Sequence, residues 1–138
     1  MSDQEIARDV HWEVITHFIW TPDQEVYGRS DDWRPQVEVV KADEIIRDDC
    51  DCFAMTTMQM CAEGGIMLQK LRLILCHVPD GPDTSGYEMH ASMFLNEPEI
   101  WRGDFRAPNI NHMVGGVDCD GGTLILDNRF RRPWWWTP

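Results

Sequence analysis

Positive charge is scarce in this 138-residue chain, where 12 Lys and Arg stand against 24 Asp and Glu for a formal net charge of −12. Such a balance repels a phosphate backbone and an anionic lipid surface, which argues against nucleic acid and membrane as partners drawn by bulk electrostatics. Long apolar runs are missing as well. No segment approaches the length of a membrane span, and Met1 to Asp9 lacks the basic-then-apolar order of a secretory leader. A paired cysteine framework is also missing: Cys50, Cys52, Cys61, Cys76 and Cys119 are odd in number and lie mostly in apolar periodic segments. That usage suits a reducing compartment, and a cytoplasmic protein is the expectation. Tandem repeats and low-complexity tracts are absent. The length suffices for one domain with a genuine core and is short for two, so residues 1–138 are expected to form a single globular unit.

What is present is organised around Asp48 to Gly65. A helix starting at Cys50 puts Cys50, Phe53, Ala54, Thr57, Met58 and Cys61 at i, i+3, i+4, i+7, i+8 and i+11, one continuous stripe that should be buried. Asp48 or Asp49 can cap its start, and Gly64-Gly65 supplies a residue free to take positive φ at its end. Cys50 then sits on the first turn, where unpaired backbone N–H groups and the positive end of the helix dipole favour thiolate over thiol. Cys61, further down the stripe, reads as a small core hydrophobe.

Ahead of that helix, Ile6, Val10, Ile15, Phe18 and Ile19 follow an approximately helical period from Asp3 to about Trp20, stopped by Thr21-Pro22. His11 and His17 read as surface or boundary residues of this element. Tyr27 to Asp32 reads as a loop, Pro35 can open a short helix through Val37, Val39 and Val40, and Ala42 to Asp49 reads as an acidic, exposed link. Behind the central helix the pattern changes to strands: Leu71 to Val78, Tyr87 to Leu95 and Thr123 to Asn128, the last two preceded by turn clusters. Residues 96–122 read as an extra loop or hairpin, with Asp118 to Gly122 as a turn. Trp134-Trp135-Trp136 reads best as a last strand packed on the core. Helices first and an antiparallel sheet second make an α+β pattern.

A cysteine nucleophile needs a base within hydrogen-bond reach, and the base needs a third group to hold its tautomer. Cys50 at a helix start, His90 in one strand and Asp127 near the end of another meet that need if the helix packs across the sheet. The residues around them are similar to the core motifs of the bacterial transglutaminase-like cysteine proteinases, a branch of the papain-like and transglutaminase-like superfamily. That family carries a tyrosine-glycine, a downstream aspartate and tryptophan, a Gly-Asp-Cys-Glu-Asp-Tyr-Ala box, a His-Ala strand and a Leu-Asp-Asn strand. Here Tyr27-Gly28, Asp32-Trp33 and Pro35 precede Asp48-Asp49-Cys50-Asp51-Cys52-Phe53-Ala54, followed by His90-Ala91 and Leu126-Asp127-Asn128. The resemblance implies a papain-like core and a peptidase acting on a protein or peptide through a thioester. It assigns Cys50 as nucleophile, His90 as base and then acid, and Asp127 as orienting carboxylate. Release by an amine would make the chain an acyltransferase instead, and a binding module that keeps the fold without the chemistry is the rival class.

Besides the conservative Asp51 for its glutamate, the box departs from the family where Asp48 stands for its glycine, Cys52 for its second acidic residue and Phe53 for its tyrosine. Cys52 is therefore a rival thiol, lying off the apolar stripe. The segment between His90 and Asp127 is longer than the family's short hairpin, and His112 within it is the other histidine to test as a base. Asp48, Asp49 and Asp51 crowd Cys50 with negative charge and oppose the helix dipole. No cofactor is required by the chemistry, yet protonated His90 or a hard cation would relieve that crowding; the resemblance implies calcium held by Asp49 and Asp51, and a solvated helix cap is the plain alternative. A thiolate metal site from Cys50, Cys52, Cys76, His77 and Cys119 has the wrong spacing for zinc.

Overall fold

Ser2 opens the first helix, α1 (Asp3–Ile15). Its hydroxyl accepts from the Glu5 N–H at 3.1 Å while the Glu5 carboxylate accepts from Ser2, a reciprocal capping box for N–H groups that the first turn leaves without helical partners. The computed structural model to which this helix belongs describes residues 1–21, 34–76, 93–95 and 112–136. The helix ends sooner than the periodicity predicts. The Thr16 hydroxyl donates back to the Trp12 carbonyl at 2.9 Å, the His17 N–H closes on the Val14 carbonyl, and the chain leaves as strand β1 (Phe18–Trp20). Aromatic and β-branched residues suit a strand, and a parallel ladder overrides the helical phase. Phe18 stands opposite Ile46 and Trp20 opposite Asp48 in β2 (Ile46–Asp48). The link expected to be exposed is thus corrected in its second half, where Ile46 and Asp48 are buried strand residues. Between these strands, α2 (Val37–Lys41) starts after Gln36 and buries Val37 and Val40.

One residue separates β2 from α3 (Cys50–Glu63), the helix expected from the sequence. At its end Gly65 takes φ +109°, a conformation glycine adopts without strain, and this lets the Ile66 N–H satisfy the otherwise orphan Cys61 carbonyl. The buried face is wider than the predicted stripe. Cys52, Thr56 and Met60 are buried along with Phe53, Ala54, Thr57, Met58 and Cys61, because α3 is enclosed by α1 and α2 as well as by the sheet.

That sheet has the order β4 (Met93–Leu95), β3 (Leu71–Cys76), β5 (His112–Cys119), β6 (Gly122–Leu126), β7 (Trp134–Trp136), antiparallel at every pairing. Its middle strand comes from the segment read from sequence as an extra loop or hairpin beside the core, and this is the largest correction. Gly115-Gly116 hid the strand, since paired glycines weaken the β signal. Both are required by close approach: a Cβ at Gly115 would stand 2.6 Å from the Met58 methyl on α3, and one at Gly116 would stand 2.9 Å from Ile74. The β5–β6 connection is the tight turn Asp120-Gly121, with Gly122 at φ +133°. One sheet face presents Leu73, Met113, Val117, Leu124 and Leu126 to α3, and α1, which touches both α3 and strands β5 and β6, adds Ala7, Val10 and Val14. The other face carries Ile74, Val114 and Ile125 against Trp134 and Trp136, so the tryptophan tail is a packed edge strand, as expected. The α+β class stands. Among the described residues no helix is long and apolar enough to cross a membrane.

Candidate active site

The β1–β2 ladder fixes the residues just ahead of Cys50. Asp48 closes β2, its own carbonyl accepting from the Thr21 N–H at 2.6 Å, and its carboxylate is wholly buried. One carboxylate oxygen accepts from the Asp49 N–H at 2.8 Å and the other from the Gln36 side-chain amide at 2.8 Å. Asp49 occupies the N-cap position of α3 without a side-chain capping bond. Cys50 follows on the first turn, half-buried, and Asp51 behind it is buried. Three other thiols are raised above the ordinary range. Burial first, then the Asp48 charge, pushes the Cys52 thiol far up, and burial pushes the Cys61 thiol up to about 12. Burial and the neighbouring Asp3 charge raise Cys119 as well. Cys52, whose sulfur lies 3.7 Å from the Thr56 hydroxyl, is a core residue.

Oxygen ligand atoms of Asp48, Asp49 and Asp51 lie within 4.8 Å of one another. Asp49 Oδ1 is buried and makes no hydrogen bond. Three carboxylates at such spacing, one with an unsatisfied buried oxygen, match the donor set of a hard cation better than that of a soft metal.

The sheet supplies a second polar group. His112 begins β5, and Asp127 follows the last residue of β6. His112 Nε2 lies 2.9 Å from Asp127 Oδ1, with the carboxylate fully buried and the ring nearly so. A carboxylate at Nε2 puts the neutral ring's hydrogen on that nitrogen, which makes Nδ1 the basic one. Asp127 is itself fixed by a turn: Oδ1 also accepts from the Arg129 N–H at 3.1 Å, and its carbonyl accepts from the Phe130 N–H at 3.1 Å. The Arg129 guanidinium lies over the Phe130 ring and its Nε is 4.0 Å from Asp127 Oδ2.

His11 is not the boundary residue the sequence suggested; it is completely buried on α1, its Nε2 2.8 Å from the Phe130 carbonyl. Burial holds its imidazole below the ordinary value of 6.5, against the opposing pull of the Phe130 carbonyl and the Asp127 charge. The folded ring therefore stays neutral where the unfolded chain's ring has taken a proton. The unfolded state binds more protons in that window, so stability rises with pH up to the ordinary histidine value and is lost as pH falls below it. Urea titrations at a series of pH values should show this slope in the native chain and a shallower one in His11→Gln.

Of the residues singled out from sequence, Cys50 lies at the head of α3 and Asp127 in a buried hydrogen bond. Asp49 and Asp51 lie beside Cys50. His90 lies outside the described residues, as do Tyr27-Gly28 and Asp32-Trp33. The imidazole bonded to Asp127 is that of His112. A sequence signal for it exists: a histidine, an apolar stretch, Asp120-Gly121-Gly122 and then Leu126-Asp127-Asn128 is the pattern of a hairpin with polar ends.

No protein-family model matches the chain, and no curated protein matches it. Solved structures do. An EGTA-treated form of Legionella pneumophila LapG superposes with a TM-score of 0.57 at 17% identity, covering 97% of this chain and 56% of that one. A second LapG structure gives 0.56 at 17% identity, covering 96% of this chain and 57% of that one. The chain thus spans just over half the length of LapG and is similar to it in fold.

Proposed function

We propose that this chain is a thiol-dependent amidohydrolase on a papain-like, transglutaminase-like core, acting as a cysteine peptidase with Cys50, His112 and Asp127 as its triad. The observation that carries the proposal is the buried 2.9 Å bond from His112, at the start of β5, to Asp127, just past the end of β6, in the sheet that packs against the helix opened by Cys50. Similarity of fold to LapG, a bacterial transglutaminase-like cysteine protease, agrees with it. Assigning the base to His112 also gives the histidine and aspartate strands the short hairpin connection that the family places between them, which His90 does not.

In the reaction, His112 takes the Cys50 proton, and the sulfur attacks an amide carbonyl carbon. The oxyanion that forms is met by backbone N–H groups at the head of α3, that of Cys50 among them. Collapse breaks the C–N bond, the imidazolium gives its proton to the departing amine, and a thioester remains on Cys50. Water, deprotonated by His112, then releases the acid. Asp127 holds the ring through Nε2 and offsets its charge while it is protonated. Incubation with a mixed peptide library and mass-spectrometric reading of new termini tests this. Cleavage lost in Cys50→Ala is expected. Products carrying an added primary amine would place the chain with the acyltransferases, and cleavage that survives Cys50→Ala would refute the assignment.

Asp48, Asp49 and Asp51 are proposed to hold calcium, which would offset the negative charge beside Cys50 and fix the start of α3. A ligand that binds only the folded chain stabilises it by about 2.7 kcal/mol at a hundredfold excess over its dissociation constant. Calcium should therefore raise the melting temperature, magnesium should do so less, and Asp49→Asn should remove the effect. Equal shifts from both ions, or none, would count against the site.

A further inference from the structure

The proposed mechanism leaves His11 unused, although this ring touches both halves of the proposed site. It is fully buried on α1. On one side its ring meets Phe53 edge-on, with centroids 5.4 Å apart, and Phe53 stands one turn along α3 from Cys50. On the other side Nε2 lies 2.8 Å from the carbonyl of Phe130, whose N–H closes the turn onto Asp127. A carbonyl only accepts, so Nε2 carries the hydrogen, and the buried Nδ1, which makes no hydrogen bond, is the bare nitrogen. A buried ring with an unsatisfied nitrogen is a costly way to fill space; a phenyl ring would pack against Phe53 without that defect. What the imidazole adds is the single bond to the Phe130 carbonyl.

We infer that His11 is a positioning residue that clamps the Asp127 turn to the Cys50 helix, so that one side chain of α1 sets the Asp127–His112 pair against the nucleophile. The inference rests on the triad proposed above. It predicts that packing and hydrogen bonding at position 11 have separable effects. His11→Phe keeps the ring contact with Phe53 and loses the donor. His11→Gln gives up the ring and keeps an amide N–H at a similar reach.

The test is the rate of Cys50 carboxymethylation by iodoacetamide across pH, resolved by peptide mapping, with thermal melting measured alongside. His11→Phe is expected to slow Cys50 labelling near neutral pH about tenfold, the factor a single hydrogen bond supports, and to move its pH profile toward that of an isolated thiol. His11→Gln should restore most of the rate even if it melts lower than His11→Phe. Wild-type labelling in His11→Phe, or a labelling rate that follows melting temperature across both variants, overturns the clamp. His112→Ala separates this from the parent reading: if it leaves Cys50 labelling unchanged, the triad fails whatever position 11 does. Should His11→Phe not fold, nitrogen-15 histidine spectra of the native chain decide. The Nε2–H tautomer with slow hydrogen exchange supports the clamp, and an Nδ1–H tautomer or a rapidly exchanging proton refutes it.

Discussion

Replacing His112 with alanine should lower the rate of peptide cleavage by about 10²–10⁴-fold, the usual worth of a positioned general base. His90→Ala should leave the rate near that of the native chain. The contrast matters because the resemblance assigns the base to His90, whereas the carboxylate of Asp127 is bonded to His112. Nε2 of His112 is held 2.9 Å from a fully buried carboxylate that has a backbone N–H on the same oxygen, so the ring's orientation is set before any substrate arrives. Removing the ring also leaves the Asp127 charge buried with one hydrogen bond fewer, so His112→Ala should lose stability along with rate. His112→Gln keeps a donor for Asp127 and cannot act as a base. It should recover stability without recovering cleavage, and the pair of variants separates the two losses.

Phe53→Ala should destabilise the fold by about 3–5 kcal/mol, the range for truncating a fully buried aromatic. Phe53 is the largest wholly buried side chain among the described residues. Its ring is met edge-on by His11 at 5.4 Å and by Phe18 at 5.2 Å, so one truncation removes contacts that join α3 to α1 and to β1 together. Small domains are stable by only about 5–15 kcal/mol, so the variant should approach unfolding at ordinary temperature. Urea denaturation gives the difference directly, and a loss below about 1 kcal/mol would be that of an ordinary substitution and would contradict the packing described.

Much of the architecture was legible because it rests on local pattern. The α3 helix announced both its ends, Cys50 after two aspartates and Glu63 before Gly64-Gly65, and its apolar stripe survived as part of a wider buried surface. The change from helices to strands gave the α+β class. The strand read over Thr123 to Asn128 was legible from its apolar run and the preceding glycines, and it ends at Leu126. What was not legible depended on contacts distant in sequence. Phe18 to Trp20 continues the helical phase of α1, and only the parallel ladder to Ile46–Asp48 turns it into a strand. The strand character of residues 112–119 was masked by Gly115-Gly116, whose missing side chains make room for Met58 and Ile74. With residues 96–122 read as an extra loop or hairpin, His112 is the second histidine to test as a base, and the resemblance carried by His90-Ala91 assigns that role to His90. His11 was misread for a related reason: a polar residue in an amphipathic pattern signals surface, and the Phe130 carbonyl that satisfies it lies far along the chain.

The most direct measurement of the central claim is the pH dependence of iodoacetamide labelling at each cysteine in the native chain and in His112→Ala. Cys50 is predicted to react first and to keep reacting below about pH 8.5, where ordinary thiols are protonated, and to lose that advantage when His112 is removed. Comparable labelling of several cysteines, or a Cys50 profile that is the same in both proteins, would contradict the account.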